Sequence, residues 1–190
     1  FKNRDVDLAL EVKKKDKDLN LICKELAKKL TKKMESDASR IKDYLDLHYI
    51  ARSLERIGDY SRNISNRTKL LVELNYSDLP GVNIGKMGQK TITMIEDVID
   101  SYVNEDDKLA VKVRNSDVKI DKMHTQYYLE IVASMQRNKK LAPTGAHLLF
   151  IAKNIERVAD YVTDIAEQVY FLVNGTVLSD HRPKADESSL

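Results

Sequence analysis

One stretch of this chain occurs twice, and the two copies lie a fixed 101 residues apart. Residues 50–68 read IARSLERIGDYSRNISNRT, and residues 151–169 read IAKNIERVADYVTDIAEQV. Glu55 therefore aligns with Glu156 (156 − 55 = 101), and the register continues without a gap through most of the chain. Other pairs at this offset are Asp16 with Asp117, Asp59 with Asp160, Leu30 with Ile131 and Met34 with Met135. A register kept over that length identifies an internal duplication, so the fold has to be built from two similar units.

The repeated stretch has the periodicity of an amphipathic helix. Between Leu148 and Leu172, apolar residues recur at steps of three and four, which places them on one helix face. They are Ile151, Ile155, Val158, Val162, Ile165 and Val169. The chain also has six glycines, three prolines, no tryptophan and 33% charged residues, a composition typical of long helices. The sequence therefore predicts an all-α protein of two tandem three-helix bundles, in which the first helix of repeat 1 is truncated.

Turn-forming residues divide the chain into three parts. Residues 1–79 form a first, N-terminally incomplete three-helix repeat, residues 80–178 form a second repeat, and residues 179–190 are a flexible tail. The predicted helices cover about 16–34, 41–74, 84–113 and 117–138, the last after the N-cap candidates Asn115-Ser116-Asp117. A turn is predicted at 142–145, and the final helix ends at Asn174-Gly175.

Residues 80–101 have no counterpart after Phe1 (80 − 101 = −21). We therefore expect the natural chain to continue upstream by roughly two dozen residues, which complete the first helix.

Acidic residues recur on the same helices, away from the apolar stripe. Glu156, Asp160 and Asp164 lie nearly opposite that stripe, and Asp117 and Asp121 have the same i,i+4 spacing on the preceding helix. Like charges at this spacing destabilise a helix, so a cation that neutralises them is a reasonable hypothesis. Carboxylate oxygens suit iron, manganese, magnesium or calcium. The candidate metal ligands are Asp16, Glu55, Asp59, Asp117, Asp121, Glu156, Asp160 and Asp164.

Two other interpretations of these acids stay open. They could form a solvated outer face beside neighbouring cations such as Arg56 and Arg157, as in a helical adaptor that binds no metal. Alternatively, Asp121-x-x-His124 resembles half of a di-iron enzyme motif. That chemistry needs two Glu-x-x-His motifs, and the first-half counterpart of His124 is Cys23. No glycine-rich phosphate loop or nucleophile–base pair is visible, so the chain is not expected to be an enzyme.

Charge and hydropathy limit the partners. The net charge of +2 is too small to indicate nucleic acid. No apolar run approaches the ~20 residues of a membrane span, and no secretory signal is visible. A single cysteine forms no internal disulfide and suits a reducing compartment. These features predict a cytoplasmic protein.

The repeated segments ERIGDYSRNIS and ERVADYVTDIAEQVYFLVNG resemble the paired signature of the PhoU family, the accessory regulators of phosphate transport. The resemblance covers nearly the whole chain and implies two acidic motifs that bind multinuclear iron or zinc clusters, with manganese or magnesium still open. It also implies a homodimer that negatively regulates the phosphate-starvation response. The partners would be the ATPase of an ABC phosphate transporter and a membrane sensor histidine kinase.

Carried over by position, the family's motif residues are Glu55 with Asp59, Glu156 with Asp160, and Asp117 with Asp121. The first-half counterparts of the last pair are Asp16 and Asn20. Because Asn20 lacks a charge, the first-half site is expected to be the weaker one. The family often has histidine after the aspartate, whereas this chain has Tyr60 and Tyr161, which removes a nitrogen ligand.

Overall fold

The computed structural model describes residues 1, 3–76, 79 and 81–188 and is all-helical over those residues. The first half contains α1 (Val6–Ser36) and α2 (Ile41–Glu73). The second half contains α3 (Ile84–Asn104), α4 (Asp107–Arg137) and α5 (Ala142–Asn174). A short 3-10 turn joins α1 to α2 at 38–40, and another joins α4 to α5 at 139–141. The predicted all-α class is confirmed.

The helix bounds reproduce the duplication residue by residue. Subtracting 101 from the bounds of α4 gives those of α1 (107 − 101 = 6 and 137 − 101 = 36). The same subtraction relates α5 to α2 (142 − 101 = 41 and 174 − 101 = 73). Helix α3 has no counterpart among the described residues of the first half. The first half therefore consists of two helices, α1 and α2, which correspond to the last two helices, α4 and α5, of the three-helix second half.

The predicted start of α4 is wrong by about ten residues. The helix begins at Asp107, where the Asp106 carboxylate accepts a hydrogen bond from the backbone N–H of Leu109 at 2.9 Å. Glu105, with φ 52°, ends α3 in the left-handed conformation. The triplet Asn115-Ser116-Asp117 lies inside the helix, so good capping residues there cap nothing. Helix α1 likewise begins at Val6 rather than at the predicted Asp16, which lies inside it.

The turn predicted at 142–145 is also wrong, because these residues form the first turn of α5. Pro143 is tolerated there, since the N–H groups of a first turn have no partner within the helix. A Cβ on Gly145 would lie 2.5 Å from the sulfur of Met135, so glycine permits a close approach of α4 and α5. The predicted end of α5 is confirmed: Gly175, with φ 70°, caps it.

Helix α5 lies at the centre of the molecule and packs against α2, α3 and α4. Its apolar stripe is buried as predicted, with Ile151 and Val162 fully inaccessible to solvent. Ala159 and Thr163, which lie off that stripe, are fully buried as well. Neighbours on three sides thus leave α5 with little exposed surface, and this determines the environment of its acidic residues.

Helix α3 covers the second half only. Ala110 on α4 is 1% exposed, whereas its counterpart Ala9 on α1 is 8% exposed and the adjacent Leu8 is 49% exposed. An apolar groove of about 350 Å³, lined by residues that include Leu8, Val12 and Ile64, lies between the first-half helices and α3. The two halves are therefore similar in backbone and different in burial.

Candidate cation site between α4 and α5

Helices α4 and α5 bring five acidic side chains together, which we call the second acidic cluster: Asp117, Asp121, Glu156, Asp160 and Asp164. The short turn at 139–141 makes the two helices antiparallel neighbours, so acids early in α4 meet acids in the middle of α5. The carboxylates of Asp117 and Asp160 bind the same guanidinium, with both N···O distances at 3.0 Å. The antiparallel packing therefore brings acids of α4 and α5 to the same place.

Three of these acids are buried, contrary to the interpretation of an outer solvated face. Asp117 and Asp121 are 0% exposed and Glu156 is 4% exposed. Asp160 and Asp164 are half-buried. The solvated-face interpretation is wrong for the buried three because the side of α5 opposite its apolar stripe faces α4 and the end of the chain. A buried carboxylate needs a cation or hydrogen-bond donors, so this cluster has a chemical demand that a surface patch lacks.

Two of the cluster's acids pair with cations of α5 itself, Glu156 with Lys153 and Asp160 with Arg157. Two further cations come from the end of the chain, residues 180–187, which we call the C-terminal segment. One terminal nitrogen (Nη2) of the Arg182 guanidinium donates to Asp117 and Asp160, and the other (Nη1) donates to Asp164 at 2.9 Å. The Lys184 ammonium donates to Asp117 at 3.1 Å and also binds Asp160. Few apolar residues predicted a flexible tail, but the structure places the segment against the cluster through polar contacts.

The C-terminal segment is anchored on both sides of the cluster. At its start, the guanidinium of Arg114, 2% exposed, donates to Glu167 and Asp180 at 2.9 Å each. Near its other end, Asp186 contacts His124 at 3.1 Å and Lys153 at 3.2 Å. These contacts also occupy His124 with a carboxylate, and no Glu-x-x-His pair is present to support the di-iron interpretation.

Sequence analysis missed Arg114, Arg182, Lys184 and Asp186. The alternating charges of residues 180–187 were a signal for the last three, but such a pattern does not identify its partners, and no pattern in the sequence marked Arg114.

Burial dominates the electrostatics of the cluster. It raises the pKa of Asp121, Glu156 and Asp164, since each charged form is deprived of water. Burial would also raise the pKa of Asp186, but hydrogen bonds from Ser188 and His124 outweigh it and hold that pKa well below its usual range. Loss of hydration, rather than a lack of nearby cations, is therefore the main cause of the raised pKa of Asp121, Glu156 and Asp164.

Oε2 of Glu156 makes no hydrogen bond but lies 2.9 Å from the Lys153 ammonium, whereas two aspartate oxygens in the cluster have no partner of either kind within the described part of the chain. They are Oδ1 of Asp117 and Oδ1 of Asp121, both on buried side chains. The second oxygen of Asp121 accepts from the backbone N–H of Ala185 at 2.8 Å. Buried acceptors without donors are uncommon in folded proteins, so each of these oxygens can still accept a hydrogen bond or bind a cation. Oδ1 of Asp16 in the first half is another buried acceptor without a partner among the described residues.

The first acidic cluster consists of Asp16, Glu55 and Asp59 and has a different source of charge. Arg62, which lies on α2, contacts Asp16 at 2.7 Å and Asp59 at 3.0 Å. Glu55 pairs with Arg52 on the same helix. The second-half counterpart of Arg62 is Thr163 (163 − 62 = 101), so α5 has no guanidinium at the bridging position. The cations that α5 does supply are Lys153, 2.9 Å from Glu156, and Arg157, 3.4 Å from Asp160.

The donor set of the second cluster fits a hard cation in chemistry. All five side chains offer oxygen, which suits magnesium, manganese or iron better than a soft metal. Among the described residues, however, no three histidine, cysteine, aspartate or glutamate side chains stand in metal-binding positions. Arg182 and Lys184 hold the carboxylates in their present arrangement, so metal ligation would require those cations to leave.

Tyr60 and Tyr161, which stand where the family often has histidine, pack against each other at the contact of α2 with α5. Their ring centroids lie 5.9 Å apart.

A family model described as the PhoU domain matches residues 1–68 and 84–169, one match in each half of the duplication. The chain belongs to the PhoU family. The phosphate-specific transport system accessory protein PhoU homolog of Xylella fastidiosa strain 9a5c is 36% identical over 74% of the chain. A homolog of the same name from Zymomonas mobilis is 30% identical over 89% of the chain, which covers 72% of that protein. The match to the Xylella protein spans 59% of its length, so the chain corresponds to part of that relative.

Two solved structures confirm the fold. PhoU from Pseudomonas aeruginosa superimposes with a TM-score of 0.88 at 24% identity, over 92% of this chain and 85% of that one. The regulatory protein PhoU from Streptococcus pneumoniae gives a TM-score of 0.77 at 21% identity, over 93% and 84% of the two chains. The relatives from Xylella fastidiosa and Zymomonas mobilis are named accessory proteins of the phosphate-specific transport system, which agrees with the prediction that this chain is not an enzyme. In the described residues, no helix is both long and apolar enough to cross a bilayer.

Proposed function

We propose that this PhoU-family protein is an accessory regulator of phosphate transport. The observation that carries the proposal is the family match in both halves of the chain, with relatives named after the phosphate-specific transport system. Its partners would be the ATPase of an ABC phosphate transporter and a membrane sensor histidine kinase, which it meets at the cytoplasmic side as a homodimer. Binding to the transporter would restrain uptake and starvation signalling when phosphate is plentiful.

This role is tested in the cells that produce the protein. Deletion of the gene should raise phosphate uptake and switch on phosphate-starvation genes in phosphate-rich medium, and the native gene should reverse both effects. An affinity-tagged native protein should retain the transporter ATPase. Unchanged uptake and gene expression after deletion would show that the protein does not restrain phosphate transport.

We further propose that the second acidic cluster binds a transition-metal ion or cluster, of iron, zinc or manganese. The unpartnered Oδ1 atoms of Asp117 and Asp121 support this, because they are buried acceptors and Asp117 shares the Arg182 guanidinium with Asp160. The first acidic cluster should bind more weakly, since Arg62 already neutralises Asp16 and Asp59. Bound metal would neutralise the carboxylates and stabilise the fold by mass action.

The metal proposal is tested with two matched double variants. Glu156→Gln with Asp160→Asn alters the second cluster, and Glu55→Gln with Asp59→Asn makes the same chemical change in the first. Metal content and melting temperature are measured with and without added iron, manganese and zinc. We expect the first variant to lose most bound metal and its metal-dependent rise in melting temperature. If it retains as much metal as the parent, the ligands lie elsewhere.

A further inference from the structure

Arg182 and Lys184 occupy the two facing oxygens through which a metal ion would join Asp117 to Asp160, although Oδ1 of Asp117 stays free. Oδ2 of Asp117 accepts from both cations, and so does Oδ1 of Asp160. A carboxylate oxygen has two lone pairs, so each of these atoms is saturated by its two donors. Docking of the C-terminal segment and ligation of a metal through these atoms therefore exclude one another.

The two cations also match the charge of the ion they would replace. Arg182 and Lys184 together bring two positive charges to the cluster, which is the charge of one divalent cation. Exchange of one for the other leaves the charge of the buried site unchanged. The buried acids can therefore be neutralised in either state, and neither state leaves Asp117 without a cation.

The contacts of the C-terminal segment suit a reversible lid. Residues 180–187 contain no helix and meet the body of the protein through ion pairs and hydrogen bonds rather than apolar packing. Asp180 is anchored by Arg114, on the far side of the cluster from the Asp186 contacts. The segment can thus leave the carboxylates while its start remains attached at Arg114.

In the first cluster, the cation that bridges the aspartates is part of a helix. There the guanidinium that bridges the two equivalent aspartates belongs to Arg62 of α2, so the helix backbone keeps it next to them. The second half has a buried threonine, Thr163, at that position and receives its bridging guanidinium from the C-terminal segment instead.

We propose that the C-terminal segment is an intramolecular competitor of the metal: Arg182 and Lys184 occupy the second acidic cluster in the metal-free protein, and a divalent cation displaces them. This inference rests on the proposed metal binding. The C-terminal segment is then docked when the site holds no metal and released when metal binds. Its release changes the surface that a partner protein meets.

The test uses Mn²⁺ and two full-length variants. Arg182→Gln with Lys184→Gln removes the competing charges. Lys139→Gln with Lys140→Gln is the matched control, because it removes two exposed positive charges from the turn before α5. The Mn²⁺ affinity of each protein is measured by the electron paramagnetic resonance signal of free Mn²⁺. Amide hydrogen exchange reports docking, since the N–H groups of Ala185 and Glu187 bind Asp121 and Thr125 only in the docked state.

In the parent protein, saturating Mn²⁺ should speed exchange at Ala185 and Glu187 by tenfold or more. The Arg182/Lys184 variant should show that fast exchange without metal and bind Mn²⁺ about tenfold more tightly than the parent and the control. Equal affinity of all three proteins, or Mn²⁺ binding that leaves the amides protected, overturns the competition and leaves the metal site standing. Absence of Mn²⁺ uptake by every protein overturns both proposals for this ion. The exchange measurement on the parent does not depend on any variant folding.

Discussion

The two acidic clusters share three equivalent carboxylates and differ in the guanidinium that bridges two of them. In each half a guanidinium bridges the equivalent aspartates, Asp16 with Asp59 and Asp117 with Asp160. The first guanidinium comes from Arg62 within a helix, and the second comes from Arg182 at the end of the chain. Both halves thus kept a pair of aspartates bridged by a guanidinium, but the arginine that supplies it lies at a different place in each half. A cation fixed in a helix stabilises the fold permanently, whereas one on an extended segment can be exchanged.

The largest expected effect concerns the anchor that exists only in the second half. Arg114→Gln removes a buried guanidinium that contacts both Glu167 and Asp180. Because those two acids are partly exposed, we expect a loss of about 2 kcal/mol in the free energy of unfolding, below the 3–5 kcal/mol of a fully buried pair. Chemical denaturation measures it, and amide exchange at Ala185 should become fast.

The control for this anchor is Lys13→Gln, at the equivalent position of α1 (114 − 13 = 101), where the side chain is exposed. That change should stay within about 0.5 kcal/mol. Equal losses in the two variants would show that Arg114 does not stabilise the second half through the C-terminal segment.

A second prediction removes the fixed cation of the first half. Arg62→Thr installs the residue that the second half has at this position and leaves buried Asp16 without its guanidinium. We expect a loss of about 1–2 kcal/mol, since a buried acceptor loses a charged donor. Lys69→Thr, an exposed change of equal charge on the same helix, should have little effect.

The Arg62→Thr change should also open the first cluster to metal. Combined with Glu156→Gln and Asp160→Asn, it leaves the first cluster as the main acidic site, and Mn²⁺ uptake should then exceed that of the Glu156/Asp160 variant alone. No gain in uptake would mean that Arg62 is not what keeps metal out of the first cluster.

A third prediction exchanges the residue types that distinguish the clusters. Asp121→Asn gives the second half the amide found at Asn20, and Asn20→Asp makes the reverse change. Repulsion between like charges at i,i+4 costs about 0.2–0.5 kcal/mol. Asp121→Asn should therefore stabilise the metal-free protein by about that amount, and Asn20→Asp should destabilise it by a similar amount. Thermal unfolding of both variants measures this, and shifts of the same sign would contradict it.

Asp121 also gives a pH dependence with a definite sign. Burial raises its pKa in the folded protein, so the folded state holds a proton at pH values where the unfolded state has released it. The stability of the metal-free protein should therefore fall as the pH rises from the ordinary aspartate range through the raised value. Asp121→Asn should flatten this part of the curve of melting temperature against pH, and an unchanged slope would exclude Asp121 as its source.

The smallest effect is expected at the contact between the halves. Tyr161→Phe keeps the ring that packs on Tyr60 and removes only the hydroxyl. The free energy of unfolding should change by less than about 0.5 kcal/mol, and metal content should stay the same. A clear loss of metal would instead identify the phenol oxygen as a ligand.

The sequence by itself determined the all-α class, the duplication and the end of α5 at Gly175. Helical periodicity and C-capping are local properties, and a repeat at constant offset carries them from one half to the other. Local sequence did not locate the start of α4, because two stretches with good N-cap residues precede or lie within it. Asn115-Ser116-Asp117 has good N-cap residues, but Asp106 after the left-handed Glu105 starts α4 instead, and Asp117 becomes a buried cluster residue.

Only the tertiary structure decided the environment of the acids. A helical projection places Glu156 opposite the apolar stripe of α5, but it cannot show that α5 has neighbours on three sides. The partnership of Arg182 with Asp117 joins residues 65 positions apart and depends on which ends of α4 and α5 align. Charge attraction acts through space, so the sequence showed that carboxylates and cations were present, and the packing of the helices decided which of them meet.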